Sequence, residues 1–268
     1  MSGFYIGVDG KARKVKGGYI GIDGKARKIK KGYIGDENGI ARLCWSGIDP
    51  VFANNTWEEI AIACQTGAVP DSWAVGDQKT MTIGDKDYTI DIIGKNHDDY
   101  ADGSGKAPLT FQLHDCYNTT TYKMNSSQSN NGGWNSCYMK KYYLPEILDL
   151  MPNEVNSAIR DVTKLTSQGL QSSNIVSTVD KLFLLSEIEV LNTNGISYEG
   201  EGIQYAYYAN GGSKAKCKID TTNSINWWLR SPVVDSTSRF ALVNSNGSDT
   251  AQSDSNNTYP GVSFAFCF

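Results

Sequence analysis

Short runs of alternating apolar and polar residues open the chain and recur at a fixed interval. The segment Tyr5-Ile-Gly-Val-Asp-Gly-Lys-Ala-Arg-Lys is repeated from Tyr19 and, more loosely, from Tyr33, so the period is 14 residues. Asp9-Gly10 and Asp23-Gly24 lie between the runs, and such a pair is a strong signal for a tight hairpin turn. Each repeat therefore predicts one β-hairpin. Because an isolated hairpin is marginally stable, we expect a small sheet or a strand-exchanged collar formed with other copies or a docking partner.

A different pattern begins at Cys44 and predicts an ordinary mixed domain. Thr56 and Glu59 have the spacing of a capping box, in which each side chain accepts a hydrogen bond from the other residue's backbone. Apolar residues follow at helical spacing, and Gly67 stands where the helix is expected to end. These signals predict a helix between Thr56 and Gly67.

Later apolar runs predict further strands and short helices. Alternating runs on both sides of residues 84–87 predict a hairpin, and the Ser-, Asn- and Gly-rich residues 125–133 predict a loop. The remaining predicted elements are two helices opened by prolines (145–150 and 152–162) and four strands (182–190, 227–232, 240–243 and 262–268). Strands and helices alternate without a βαβ rhythm, so the predicted fold class is α+β.

The charge of the chain is unevenly distributed. The 268 residues contain 25 Lys and Arg against 29 Asp and Glu, a formal net charge of −4. Residues 1–43 hold ten basic and four acidic residues, which leaves a balance of −10 for residues 44–268. The net charge argues against a nucleic-acid binder that works by bulk electrostatics. For the basic repeat, assembly is the favoured role, and contact with a nucleic acid or another acidic surface is the alternative.

The composition argues against several other classes of protein. No run of about 18 apolar residues occurs, so no membrane-spanning helix is predicted. The N-terminus shows no basic start followed by an apolar stretch, so no secretory signal is predicted. The six cysteines lie 20 or more residues apart and form no C-x-x-C pair. We expect them to be buried free thiols of a protein made in a reducing cytosol.

Few residues offer catalytic or metal-binding chemistry. The motifs G-x-S-x-G and H-E-x-x-H are absent, and residues 103–106 (GSGK) lack the upstream glycine of a phosphate loop. The carboxylates of residues 97–103 lack an EF-hand spacing, so a solvated Asx-rich turn is favoured over a cation site. The contiguous residues 114–116 (HDC) predict a packed or loop histidine. We therefore expect no catalytic residue, no metal and no cofactor.

The C-terminal stretch is rich in small polar residues. Between Asp235 and Tyr259, 16 of 25 residues are Asn, Ser, Asp or Thr, and Lys, Glu, Met and Trp are absent from Asp235 onward. Such residues favour turns and lose little rotamer entropy on binding, and antigen-binding loops use similar chemistry with aromatic anchors. Apolar runs at 227–232 and 261–268 bracket the stretch. The pattern predicts polar loops that are held between core strands and presented as a surface.

Three short motifs in this region carry a resemblance to a known family. They are Trp227-Trp-Leu-Arg-Ser-Pro, Val243-Asn-Ser-Asn-Gly and Gly261-Val-Ser-Phe-Ala-Phe-Cys. The pattern resembles the C-type-lectin-like domain of variable proteins diversified by retroelements. It is also similar to the related domain, distantly like the formylglycine-generating enzyme, of many phage and gut-bacterial proteins. The resemblance extends through residues 97–103, 133–139 and 180–187, so it covers nearly all of residues 44–268, and the repeat of residues 1–43 looks like the one that precedes this domain in phage structural proteins.

The resemblance implies a ligand-displaying surface made of variable-type loops in residues 226–260. In that family, adenine-directed mutagenesis changes AAC codons and cannot yield Lys, Glu, Gln, Met or Trp; Gln252 departs from this pattern. The framework positions implied are Trp227, Trp228, Leu229, Arg230, Val262 and Phe264. The exposed, ligand-binding positions implied are Asp235, Ser236, Thr237, Ser238, Phe240, Leu242, Asn244, Asn246, Ser248, Asp249, Asn257 and Tyr259.

The resemblance further implies a phage virion protein of the tail tip or fibre, made in the host cytoplasm. Its lectin-like domain would bind a protein or glycan receptor on the bacterial surface, and the repeat would dock on other virion proteins. A homotrimer is expected from what is usual in tail fibres, and neither nucleic-acid binding nor membrane insertion is expected.

Two alternatives remain open at this stage. One is a bacterial surface or interaction protein that uses the same fold to bind another protein or glycan, with the repeat as an anchor. The other, more remote, is a cysteine-dependent modifying enzyme, since the related enzyme class uses a close pair of cysteines near its C-terminus. Cys217 and Cys267 are the two cysteines in that part of the chain, 50 residues apart.

Overall fold

The computed structural model describes residues 5–8, 11–14, 18–22, 24–29, 31–35, 41–46, 48–117 and 122–268, and for the strands before residue 47 it describes the backbone. The chain forms two compact units, Met1–Trp73 and Ala74–Phe268. The boundary between the units along the chain falls after residue 73, whereas the sequence pattern changes at residue 44. The predicted roles of the two parts stay predictions.

The repeat in the first unit folds into three two-stranded antiparallel sheets. They are β1 (Tyr5–Val8) with β2 (Lys11–Lys14), β3 (Gly18–Ile22) with β4 (Lys25–Ile29), and β5 (Lys31–Gly35) with β6 (Ala41–Ser46). The prediction of one hairpin per repeat is confirmed. Gly24 has the positive φ (+72°) expected of a turn glycine, whereas the predicted turn residues Asp9, Gly10 and Asp23 lie outside the described residues.

The first unit also contains a short 3₁₀ turn (Phe52–Asn54) and helix α1 (Trp57–Gln65). The predicted capping box is present: the Glu59 N–H donates to Thr56 Oγ1 at 3.1 Å, and the Thr56 N–H donates to Glu59 Oε2 at 2.8 Å. The helix ends at Gln65, two residues before Gly67, whose φ is +64°. The helix prediction is confirmed at both ends.

The second unit mixes strands with short helices, which confirms the α+β class. Its strands are β7 (Gln78–Ile83), β8 (Lys86–Lys95), β9 (Leu109–Leu113), β10 (Val162–Ser167), β11 (Ile175–Asp180), β12 (Lys216–Cys217), β13 (Ser224–Ile225), β14 (Trp227–Pro232), β15 (Arg239–Val243), β16 (Thr250–Asp254) and β17 (Ala265–Cys267). Its helices are α2 (Gly133–Ser136), α3 (Leu144–Leu150), α4 (Asn153–Asn156), α5 (Glu187–Leu191) and α6 (Ala206–Ala209), with a π-helical turn at Met139–Tyr143. None of the helices in the described part of the chain has the length and apolarity that a membrane crossing requires.

The described residues of this unit form four antiparallel sheets, two of which, β10-β11 and β12-β13, are pairs, and the two larger ones organise the unit. One has four strands in the order β17-β9-β8-β7, and the other has three in the order β14-β15-β16. All five residues of β9 are buried, and the Phe111 ring stacks on Phe266 of β17 with centroids 5.2 Å apart. The β7–β8 hairpin and the β14 and β15 strands confirm the corresponding predictions, whereas the predicted 262–268 strand is reduced to Ala265–Cys267.

The segment predicted as a strand at 182–190 has a different structure. Leu182 to Leu185 are buried and link the two sheets, because Phe183 pairs with Ala265 and the Arg230 N–H donates to the Leu185 carbonyl at 2.8 Å. From Ser186 the chain turns into α5, because Ser186 and Glu189 form a second capping box. The strand prediction is therefore wrong: the first half of the segment holds a single isolated bridge, at Phe183, and the second half is helical.

The two predicted proline-opened helices have different outcomes. The first is confirmed as α3, with Pro145 in its first turn. The second is a single turn, α4, and β10 begins at Val162, where the predicted helix was to end. The helix prediction for 157–162 is wrong because the chain leaves the helix after Ser157 and pairs with β11.

Candidate ligand-binding surface

The three-stranded sheet carries the polar C-terminal loops on a buried framework. All six residues of β14 are buried, and β15 lies between β14 and β16. The buried framework positions are Trp227, Trp228, Leu229, Arg230, Val262 and Phe264. Their predicted interior placement is confirmed, so the loops between these strands start from fixed ends.

Two of the predicted ligand-binding positions lie in the core. Phe240 and Leu242 are 0 % and 1 % exposed, so the prediction that they face a ligand is wrong. Both belong to the central strand β15, whose apolar residues 240–243 are all buried. A side chain without solvent access cannot contact a ligand at the surface, and these two residues serve as framework.

The other ten positions lie at the surface or partly exposed, but at opposite ends of the sheet. Strand β15 runs from Arg239, paired with Asp254, to Val243, paired with Thr250, and five strand residues span about 14 Å. The connection 233–238 lies at one end, which we call the serine end, and holds Asp235, Ser236, Thr237 and Ser238. The connection 244–249 lies at the other end.

This other end, which we call the tyrosine end, holds five of the predicted positions: Asn244, Asn246, Ser248, Asp249 and Tyr259. Tyr259 belongs here because the chain returns along the sheet after β16, and Gly261 pairs with Trp227 at the start of β14. Asn257 lies at the serine end of the sheet, where its N–H donates to the Asp254 carbonyl at 2.9 Å and its side-chain amide donates to Ser253 Oγ at 2.6 Å.

Hydrogen bonds within the loop fix the serine end. Ser236 Oγ accepts from the N–H groups of Ser238 and Arg239, each at 3.1 Å. The Ser238 hydroxyl donates to Asp254 Oδ1 at 3.1 Å. A side-chain hydrogen bond from Gln128 outweighs desolvation and lowers the pKa of Asp254, with Ser238 and Arg239 adding to the effect. The carboxylate is thus held in its charged form beside the loop.

Asn130, which the sequence did not indicate, ties three loops together at the serine end. Its buried side-chain amide donates to the carbonyls of Ser236 and Arg239 at 2.9 and 3.0 Å, and its Oδ1 accepts from the Leu170 N–H at 2.8 Å. Buried Ser255 makes a similar link by accepting from the Ser129 N–H at 2.9 Å. The only sequence signal was the polar composition of residues 125–133, which predicted a loop and not its partners.

Asparagine side chains close the loop at the tyrosine end. Asn244 Oδ1 accepts from the N–H groups of Ser248 and Asp249 at 3.0 and 3.3 Å, and Asn246 Oδ1 accepts from the Ser248 hydroxyl at 2.6 Å. Gly247 has a φ of +72°, and a Cβ there would stand 2.4 Å from the Ala215 nitrogen. The loop therefore needs glycine for both its backbone conformation and its packing on residues 214–215.

Tyr259 is the most exposed large hydrophobic side chain described, at 75 %. Its N–H donates to Asn257 Oδ1 at 3.0 Å, and the Lys218 ammonium lies 5.4 Å from its ring centroid, within the range of a cation–π contact. The sequence did not indicate Lys218, since it lies 41 positions before Tyr259 on a separate segment. The tyrosine end therefore includes residues 214–218.

A buried group of charged side chains anchors β14 beneath this surface. Arg230 Nη2 donates to Glu189 Oε1 at 2.8 Å, and Lys164 Nζ lies 2.7 Å from both Glu189 Oε1 and Asp98 Oδ1. Burial opposes the charged form of Asp98, but the charge and hydrogen bond of Lys164 outweigh it and lower its pKa. The Tyr205 hydroxyl also donates to Asp98, at 2.8 Å. The charges balance one another within the core.

The two C-terminal cysteines are not brought together. Cys267 of β17 pairs with Thr110, and its Sγ lies 3.6 Å from Asp98 Oδ2; burial raises its pKa well above the ordinary thiol value. Cys217 is partly exposed, and its carbonyl accepts from the N–H of Cys116, six residues further along the chain than Thr110. Because the thiolate is the reactive form, Cys267 is a poor nucleophile in this setting.

The other residues considered for chemistry make structural contacts. Asp102 Oδ1 accepts from the Ser104 N–H at 2.9 Å, which confirms an Asx-type turn there. His114 is half-buried, with Nδ1 2.8 Å from Asp91 Oδ2, as expected for a packed or loop histidine. Among the described residues, no three His, Cys, Asp or Glu side chains are arranged to hold a metal ion.

The profile of one known family matches more than half of the chain. The profile of DUF6273, described as a domain of unknown function, matches residues 109–267. The matched span begins with β9 and ends with β17, and it contains both ends of the three-stranded sheet. No curated protein and no solved structure gives a significant match.

Proposed function

The chain belongs to the DUF6273 family, and we propose that it is a ligand-binding protein whose C-terminal loops recognise a receptor on the bacterial surface. In this proposal the second unit is a C-type-lectin-like domain of the retroelement-diversified type. The protein is carried on a phage tail, with the N-terminal hairpins docking on other virion proteins, as a homotrimer in the tail-fibre manner. No catalytic step is assigned to it.

The observation that carries the proposal is that exposed polar loops with a fixed backbone are supported by buried strands. Ten of the twelve predicted positions lie outside the core, on loops whose own Ser and Asn side chains fix the backbone. The strands beneath them are buried, and Arg230 and Glu189 lock β14 to α5. Such loops present hydroxyl, amide and carboxylate groups at little further entropic cost, which favours binding.

Arraying copies on a particle would strengthen weak single contacts. When the geometry allows two sites to engage at once, linkage raises the effective affinity by roughly 10²–10⁴. A single loop surface of modest affinity would therefore suffice for adsorption to a cell.

Adsorption to host cells tests this proposal. Labelled protein is mixed with the host bacterium, and the bound fraction is compared for the wild type, Asp235→Lys with Thr237→Arg, and Glu146→Lys. Asp235 and Thr237 are exposed at the serine end, and Glu146 is exposed on α3, so its variant controls for added positive charge. We expect the double variant to lose at least tenfold in adsorption and the control to adsorb normally. Equal adsorption of all three proteins would refute a role for the serine end.

Two further measurements separate a phage protein from a bacterial surface protein. Mass spectrometry of purified particles is expected to detect the chain, whereas its recovery from the envelope of uninfected cells would favour the bacterial alternative. Sequencing of the flanking genome is expected to show a reverse transcriptase beside an imperfect copy of the gene's 3′ end. Loops that do not vary between sibling genomes carrying these elements would contradict diversification.

A further inference from the structure

The tyrosine end contains a cation and an aromatic ring that meet at the surface. The ring of Tyr259 is 75 % exposed, and the Lys218 ammonium lies 5.4 Å from its centroid. Among the described residues, no carboxylate lies within ion-pair distance of Lys218, whereas the neighbouring Asp220 is paired with Lys86 at 2.8 Å. An ammonium with this surrounding keeps its charge available for an external anion.

The segment that carries Lys218 is fixed to the core. The buried ammonium of Lys216 donates to the carbonyls of Leu113 and His114, each at 2.7 Å, and the Cys217 N–H donates to Asp115 Oδ1 at 2.8 Å. Lys218 itself forms a parallel bridge with Cys116. The backbone beneath the ammonium is therefore held in place before any ligand arrives.

Tyr259 is fixed from a different direction. Its N–H donates to Asn257 Oδ1, and Gly261, two residues later, pairs with Trp227 of the buried strand β14. Because separate anchors hold the backbone on both sides of the contact, ligand binding requires little rearrangement of the main chain. The ring and the ammonium already contact each other before a ligand binds.

The chemistry around the pair favours a sugar over a peptide. An aromatic face attracts the weakly positive C–H groups of a sugar ring, and an ammonium forms a strong charge-assisted hydrogen bond with a carboxylate. The adjoining loop presents Asn246 and Ser248, which are neutral hydrogen-bonding groups suited to hydroxyls. Tyr259 is the sole large hydrophobic side chain described as exposed between residues 204 and 268, whereas protein partners usually meet several aromatic or aliphatic anchors.

We propose that Tyr259 and Lys218 form a subsite for a carboxylate-bearing sugar of an acidic polysaccharide. The ring stacks on the sugar, and the ammonium binds its carboxylate. This inference rests on the proposed function, since it names the class of receptor that the tyrosine end recognises. It adds Lys218, from outside the C-terminal loops, to the binding surface.

Calorimetry with matched probes tests the subsite. The probes are an oligosaccharide of polygalacturonate, the same oligosaccharide with methyl-esterified carboxylates, and poly-L-glutamate of similar charge. The proteins are the wild type, Lys218→Met, Tyr259→Leu, and Lys181→Met as a control that removes another exposed lysine. Thermal unfolding checks that each variant is folded. Because the Tyr259 side chain is exposed, we expect its replacement to leave the fold intact.

We expect the wild type and Lys181→Met to bind the acid oligosaccharide at least tenfold more tightly than the ester. Lys218→Met is expected to abolish this preference, and Tyr259→Leu to weaken binding of both oligosaccharides about tenfold. Failure of the wild type to bind polygalacturonate overturns the inference. Equal affinity for the ester, equal or tighter binding of poly-L-glutamate, or unchanged affinity in Lys218→Met overturns it too.

Host adsorption distinguishes failure of the subsite from failure of the function. If Lys218→Met and Tyr259→Leu adsorb to host cells as the wild type does, the subsite is refuted while receptor binding stands. If the wild type does not adsorb but binds polygalacturonate through Lys218, receptor binding is refuted while the subsite stands.

Discussion

The guanidinium of Arg230 and the carboxylate of Glu189 form a fully buried ion pair between β14 and α5. Glu189 also accepts from Lys164, so each of its oxygens faces a cation. Burying charges is costly, but removing one partner of such a pair leaves the other without compensation. The pair is therefore sensitive to single substitutions.

We expect Glu189→Gln to lower the free energy of unfolding by about 3–5 kcal/mol, because it leaves Arg230 and Lys164 short of negative charge in the core. Chemical denaturation followed by circular dichroism measures the loss. Asp254→Asn breaks an exposed pair with Arg239 and serves as the control, for which a much smaller loss is expected. A loss in Glu189→Gln no larger than in the control would contradict the role of the buried pair.

The buried carboxyl of Glu201 predicts a pH-dependent effect of opposite sign to that of a salt-bridged acid. Burial raises its pKa above the ordinary 4.5, although Ser231, Arg230 and two further hydrogen bonds oppose the shift. A group whose pKa is higher in the folded state binds protons more strongly there, so its contribution to stability is lost as the pH rises from 4.5 through the folded-state pKa. Glu201→Gln removes this loss.

We therefore expect the stability of Glu201→Gln relative to the wild type to increase as the pH is raised above 4.5. Thermal unfolding of both proteins from pH 4 upward measures the difference. Glu199→Gln, at an exposed neighbouring position, controls for the removal of one charge. A difference in stability that stays constant or falls as the pH rises would show that the pKa of Glu201 is not raised in the folded protein.

The two histidines of the chain are expected to titrate in a defined order. The hydrogen bond that His114 donates to the Asp91 carboxylate raises the pKa of His114 above 6.5 against its partial burial. Desolvation lowers the pKa of His97, which stacks on the Tyr205 ring. Nuclear magnetic resonance resolves both imidazoles, and Asp91→Asn should return the pKa of His114 toward or below 6.5. The contribution of the Asp91 contact to stability is present below pH 6.5 and is lost as the pH rises through the folded-state pKa of His114. The reverse order of titration would refute these assignments.

Asn130 is expected to control the order of the serine end. Asn130→Ala removes one hydrogen bond each from the part-buried carbonyls of Ser236 and Arg239 and from the Leu170 N–H, at a cost of about 1–3 kcal/mol. Hydrogen–deuterium exchange should rise in residues 168–172 and 233–239. Asn131→Ala, at the exposed neighbour, should leave both segments unchanged. Equal exchange in the two variants would contradict the proposed positioning role.

Local signals in the sequence predicted local elements well. The capping box at Thr56 and Glu59, the alternating hairpin runs and the buried β14 strand involve residues close in sequence or of uniform polarity, and all three are present. The segment from Leu182 was predicted wrongly. Its apolar residues indicated a strand, although Ser186 and Glu189 have the spacing of the capping box that begins α5. Burial and secondary structure are separate properties, and the apolar residues there reported only burial.

The candidate surface depended on contacts that no local pattern reveals. Asn130 meets Ser236 across 106 positions, and Lys218 meets Tyr259 from a separate segment, so neither was predicted. Phe240 and Leu242 were placed on the surface by family resemblance, whereas their position in a central strand buries them. The alternation of polar and apolar residues along β15 could not have shown that these two side chains are buried, because residues 240–243 are buried on both faces of the strand.

The separation of the serine and tyrosine ends has a consequence for how the protein can change. The connections 233–238 and 244–249 share none of the hydrogen-bond partners described above, and they are about 14 Å apart along β15. Substitutions at sites that far apart with no shared partners have nearly additive effects. Substitutions at one end can therefore change its binding without altering recognition by the other end. The two ends can thus vary as separate modules on one unchanged sheet.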